Sequence, residues 1–200
     1  MPATPEAVLD FWFGAAGSAT DIAGRQGSLW FGKSAANDAR VLELFADTLI
    51  AAGAGTLDSW QQSPRTLLAL IVVLDQFPHH IHRDQGASFA YDAQSLALTQ
   101  AMIARGDDQA LTLIERVFVY LPLEHAESLA AQDQAVAQYT RLLAEALPDE
   151  RGLFENFLDY ARQHQAVVAR FGRFPHRNAL LGRASSAAEI EFLKQPGSRF

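Results

Sequence analysis

The sequence contains no cysteine among its 200 residues. Disulfide frameworks, thiolate metal ligands and cysteine nucleophiles are therefore excluded. Positive charge is also scarce: 16 Lys and Arg against 23 Asp and Glu give a formal net charge of −7. General nucleic-acid binding needs a basic face to neutralise phosphates, and no polybasic cluster or basic amphipathic stretch suits an anionic membrane. Long apolar runs are missing too. The longest, LLALIVVL at 67–74, is far shorter than the ~20 residues needed to cross a bilayer. The stretch MPATPEAVLDFWFG lacks the charged start and cleavage site of a secretory signal. These absences predict a soluble, cytoplasmic protein with neither nucleic acid nor membrane as partner. HExxH, the GxxxxGK[ST] loop, the dinucleotide fingerprint and the GxSxG elbow are all absent, so no metal or cofactor is expected.

What is present is helical periodicity, on 49% hydrophobic and 20% charged residues. Thr4 and Pro5 open a first helix that closes at Gly14. Residues 15–32 read as a Gly-rich loop ending in the aromatic pair Trp30 and Phe31. Ser34 caps a second helix running to Gly53, with Val41, Leu44, Phe45, Thr48 and Leu49 on one stripe. Ser63-Pro64 starts a third, apolar almost all round and so central, that must stop near Pro78. Asp92 caps a fourth over 93–105, closed by Gly106. A fifth covers 110–121 and ends at Pro122, a sixth 127–147 and a seventh 152–173. Ser186 and Glu189 make a capping box for a last helix at 187–194. The reading is all-α, with antiparallel helix pairs stacked in a single domain over 1–200. A faint repeat supports it: apolar helices end at DQFP, VYLP and GRFP.

Short links make consecutive helices antiparallel, so the helices ending near Pro78, Pro122 and Pro175 should run parallel and end on one edge. There they would gather His79, His80 and His82, then Glu124, His125 and Glu127, then His176, Arg177 and Asn178. Asp75 and Glu124 lie near helix C-termini, where the helix dipole disfavours anions, so each needs a cation. Arg173 and Arg177 are the natural candidates. Pro175 can open a short helix at 175–181, putting His176, Arg177 and Asn178 in a first turn that favours an anion.

Plainer readings compete. An X-Pro junction stops a helix without any functional reason, and buried carboxylate–Arg pairs can be purely architectural. HHIH at 79–82 suggests metal ligation, yet adjacent histidines point apart on most backbones and solvated loop histidines account for it. His164, on the apolar stripe of its helix, reads as a hydrogen-bonded core histidine. The aromatic clusters DFWFG and LWFGK read as a plug for the helix stack.

The stretches LDQFPHHIHRDQGASFAYD, ERVFVYLPLEHAESLAAQ and ARFGRFPHRNALLGR, preceded by VLDFWFG and WFGK, resemble one family over almost the whole chain, from Val8 to the PGSRF end. It is the bacterial domain of unknown function 924, assigned to the tetratricopeptide-like helical superfamily. The resemblance implies a tetratricopeptide-like αα-superhelix and no particular chemistry. Its usual first motif is similar to DQFPRNIYR, from which His79, His80 and His82 depart. Asp75, Gln76, Glu124, His125, Glu127, Arg173, His176, Arg177 and Asn178 match the family motifs.

These residues suggest a small anionic molecule or a peptide carboxylate as ligand. Asp75, Gln76, Arg173, His176, Arg177 and Asn178 would be the binding residues. One alternative is an enzyme with Glu124 and His125 as its acid–base pair. Another is a scaffold for a protein partner.

Overall fold

Every residue from Leu67 to Asp75 is buried, as is every residue from Ile114 to Glu124. Two segments that are apolar on all faces must be surrounded on all sides, and the other helices do this. The computed structural model describes residues 1–198; Arg199 and Phe200, at the tip of the PGSRF end, lie outside the described residues. The helices are α1 (Pro5–Phe13), α2 (Ala19–Trp30), α3 (Ala35–Gly53), α4 (Pro64–Asp75), α5 (Phe77–Ile81), α6 (Asp92–Arg105), α7 (Leu113–His125), α8 (Leu129–Glu145), α9 (Arg151–Phe171) and α10 (Ala187–Phe192). Short 3-10 turns cover Asp58–Gln62, Gly86–Phe89, Asp107–Ala110 and Pro175–Arg177. Among the described residues there is no strand, and no helix is long and apolar enough to cross a membrane.

Salt bridges and hydrogen bonds fix the directions of the helices. Arg65 meets Glu115 at 2.5 Å near the N-terminal ends of α4 and α7. Asp75 meets His125 at 3.0 Å at their C-terminal ends. The two central helices are therefore parallel. In contrast, α8 runs back along α7: Arg116 pairs with Glu145 at 2.6 Å, and Gln132 donates to the Glu124 carbonyl at 2.6 Å. Helix α9 reverses again, placing Gln165 beside Asp133 at 2.6 Å. Helices α4, α7 and α9 thus point the same way, as the short links predicted.

Aromatic packing fastens the first helices to this centre. Trp12 is fully buried; its ring lies 5.7 Å from Phe77, 5.6 Å from Phe118 and 6.4 Å from Trp30. Phe45 stacks on Phe77 at 4.7 Å. A small satellite core of Val167, Val168 and Phe174, with Phe171 and Phe192, seats α10 on the end of α9.

Three expectations need correction. Residues 19–30 are a helix, not a loop: Ser18 and Asp21 form a reciprocal capping box. A Cβ at Gly24 or Gly27 would meet nothing within 4 Å, so these glycines cost only their helix propensity, about 1 kcal/mol each. Burial of Ile22, Leu29 and Trp30 offsets that cost. The prolines also do not act as stops. Pro78 lies in the first turn of α5, and Pro175 begins a 3-10 turn, positions where the missing N–H is not needed. Pro122 lies inside α7. The helix runs on past it to His125, and the Gln132 amide caps the Glu124 and Ala126 carbonyls at its C-terminal end, at 2.6 and 2.8 Å. Helix α9 ends instead on Gly172, left-handed at φ 69°. The helix expected at 175–181 is only the turn Pro175–Arg177.

Replacing Phe77 by alanine should cost about 3–5 kcal/mol of unfolding free energy in urea titrations, because its cavity is lined by rigid aromatic rings. Ile50→Ala, at a side chain 67% exposed, should stay within about 0.5 kcal/mol of the parent.

Candidate functional site

Asp75 ends α4 and has lost its water, at 1% exposure. Burial raises its pKa, but the His125 charge and hydrogen bond outweigh this and hold the carboxyl below the usual range. His125 Nδ1 lies 3.0 Å from Asp75 Oδ1, and Gln76 Nε2 donates to Oδ2 at 2.6 Å. His125 in turn is pulled down by burial and pushed further up by Asp75. The Asp75 carboxylate thus favours the charged form of His125. Nδ1 faces Asp75, and 17% of the His125 side chain is exposed.

A second histidine packs against the first. The His79 ring, from α5, lies 5.4 Å from His125 and 5.7 Å from Phe89. Burial first, and the His125 charge second, push His79 down to about 3, so it is neutral. Its Nε2 is sealed from solvent and has no hydrogen-bond partner.

Behind this pair sits Glu124, 4% exposed. Burial pushes it up to about 7, opposed by the His125 charge and a hydrogen bond with Tyr139. His164 Nδ1 is 3.1 Å from Glu124 Oε1 and 2.9 Å from the Tyr160 carbonyl. Burial drives His164 down to about 3. A ring that donates its Nδ1 proton to Tyr160 and is neutral does not make an ion pair with Glu124, despite the short distance.

Arg177 reaches the same neighbourhood from the turn after α9. It is 6% exposed, and its guanidinium lies 4.4 Å from the Phe89 ring and 4.7 Å from that of Phe174. Nη1 donates to Asp92 Oδ2 at 3.0 Å. Nε is buried without a partner. Burial raises Asp92 to about 6, with the Arg177 charge opposing. The charge of Arg177 also acts on His79, His125 and Asp75.

Three helix ends therefore bring together Asp75, His79, Glu124, His125 and Arg177. The expected partners are different, however. Arg177 bonds Asp92, not Asp75 or Glu124. Arg173 turns away and grips Glu189 at 2.7 and 2.9 Å; with Ser186 it holds that carboxyl down at about 2. Asn178 donates to Ser185 and accepts from Arg183, both at 3.0 Å. Glu127 accepts from Arg183 at 2.5 and 2.8 Å and from the Phe174 N–H at 2.8 Å. These residues clasp the C-terminal segment. His176 is half-buried, its ring 5.7 Å from Phe174. His80 lies 2.9 Å from Asp38, which also takes two 2.6 Å bonds from Arg83. The HHIH histidines thus diverge, and among the described residues no three His, Asp or Glu side chains are placed to share a metal ion.

The sequence reading gathered His79 with His125 on one edge, as the 5.4 Å ring contact has it, but missed Asp92 as an ion-pair partner and Phe89. Asp92 was read as a cap, and it occupies the first helical position of α6 instead. Two cavities, of about 280 and 470 Å³, lie elsewhere: one between α1, α2 and α3, the other between the α1–α2 link and the start of α7.

Glu124 makes a pH test possible. The unfolded chain releases this proton near 4.5 and the folded protein near 7. The stability it contributes is therefore full below 4.5 and is lost as pH rises through 7. Glu124→Gln should gain on the parent by roughly 2 kcal/mol between pH 5 and pH 8 in urea titrations. A constant difference across that range would show that Glu124 titrates normally.

The geometry can be set beside known proteins. The model of the family described as "Bacterial protein of unknown function (DUF924)" matches residues 8–197. A solved structure, of the protein of unknown function ATU0120 from Agrobacterium tumefaciens, is 34% identical, covering 95% of this chain and 96% of that one with a TM-score of 0.79. No curated protein matches the chain. With nearly the whole of its length matched, the chain belongs to the DUF924 family of bacterial proteins.

Proposed function

We propose that the protein binds a small anionic molecule, phosphorylated or carboxylated, or a peptide carboxylate, with Arg177 and His125 as its cations. The observation that carries this reading is Arg177. A guanidinium has five N–H donors, and this one, 6% exposed, spends them on a single carboxylate bond to Asp92 while Nε has no partner. A buried cation so sparsely bonded is costly, and a planar anion is the group that matches its fork. His125, whose charged form Asp75 favours, adds a second cation with 17% of its side chain exposed. In this reading Asp75 and Gln76 orient His125. Arg173 and Asn178 leave the ligand set, because their polar groups already serve the C-terminal clasp.

A second reading is an enzyme in which His125 moves a proton. The Asp75–His125 pair supports it, since a buried carboxylate on Nδ1 is how an imidazole is held with Nε2 ready for acid–base work. Glu124, near neutrality but 4% exposed, would tune His125 from behind, not touch substrate. The scaffold reading has no comparable observation behind it.

Thermal unfolding with inorganic phosphate, citrate and acetate tests the anion reading. At a hundredfold excess over Kd, a bound anion should raise the parent Tm by roughly 5–10 °C. Arg177→Gln should lose the shift, and Arg177→Lys should keep part of it. Equal shifts in the parent and Arg177→Gln, or none in the parent, would sink the reading.

A further inference from the structure

His79 Nε2 and Arg177 Nε are both buried and both unpartnered, although buried polar atoms in folded proteins are almost always bonded. They are also neighbours. Both side chains pack against one ring, Phe89, at 5.7 Å for His79 and 4.4 Å for Arg177. Phe89 is half-buried and belongs to the surface turn Gly86–Phe89. It packs against both orphaned groups from the side of that turn.

We infer that His79 is a specificity-determining residue of the same site, bonding a hydroxyl group on the anion that Arg177 holds, with Phe89 as the movable cover. The inference rests on the anion-binding reading and narrows its ligand class to hydroxylated anions, such as 2-hydroxy acids or phosphorylated polyols. A neutral imidazole neither attracts the anionic group nor competes with Arg177 for it, and its neutrality follows from burial beside charged His125. A hydroxyl both donates and accepts, so it satisfies Nε2 in either tautomer. The charged groups around this place divide the other tasks: Asp75 holds His125, and Asp92 occupies Arg177 Nη1. The Nε side of the guanidinium and the His79 ring are what remain for a ligand.

Calorimetric titration with matched pairs tests this: lactate against propionate, and glycerol 3-phosphate against propyl phosphate. The parent should bind the hydroxylated member about fivefold more tightly, the effect of one added hydrogen bond. His79→Leu should erase that preference, and His79→Asn should keep part of it. Phe89→Ala should speed both association and acylation of His79 by diethyl pyrocarbonate. Arg177-dependent binding without a hydroxyl preference, or a preference that survives His79→Leu, overturns this inference and leaves the anion reading standing. Absence of binding by all four probes overturns the anion reading and this inference with it. Equal His79 acylation in the parent and Phe89→Ala removes Phe89 as the cover.

Discussion

A carboxylate at the end of a helix buried on every face must find a cation, and for Asp75 that cation is His125. Much of the molecule follows from this pairing. It joins the C-terminal ends of the two central helices, as Arg65 and Glu115 join the N-terminal ends. With both ends matched, the two pairs favour the parallel course and the observed register of α4 and α7. Burying an ion pair brings little net stability, whereas losing one partner leaves an uncompensated charge in the core. The pair therefore acts chiefly on which arrangement forms.

The surroundings of the pair consist of histidines in different states. Asp75 favours the charged form of His125 against the effect of burial, while His79 is neutral chiefly because it is buried, with the His125 charge second. His164 is neutral because it is buried. Arg177 adds a cation from a different part of the chain and brings its own counter-ion, Asp92. Partly satisfied polar groups, His79 Nε2 and Arg177 Nε among them, gather at this edge, which supports reading it as a place for chemistry.

The C-terminal segment has a separate architecture. Arg173 with Glu189, and Arg183 with Glu127 and Asn178, fold residues 173–189 back onto the end of α9. That clasp fixes the turn Pro175–Arg177, and Asp92 holds the Arg177 side chain between Phe89 and Phe174. The clasp positions the site but takes no part in it. This is why residues adjacent in RFPHRN have unlike roles: Arg173 and Asn178 are structural, while Arg177 turns inward.

Most of the helix content, the Ser186–Glu189 capping box and the burial of 67–74 were legible in the chain because they are local: they depend on residues within one or two turns of each other. The parallel course of α4, α7 and α9 was legible too, since short links allow few alternatives. Helix α2 was missed because its glycines mask a stripe whose value lies in tertiary burial. Pro122 was misread because a proline commonly ends a helix, whereas here the helix runs on past it to His125. Partner choice was beyond local reasoning altogether. Asp75 demanded a cation, and local sequence could say so; whether His125, Arg173 or Arg177 supplied it depended on contacts between residues far apart in the chain. The sequence by itself determined which groups would be buried and in need of partners. Only the tertiary structure decided the pairings, because distance and desolvation, which set the strength of each charge interaction, exist only once the helices are packed.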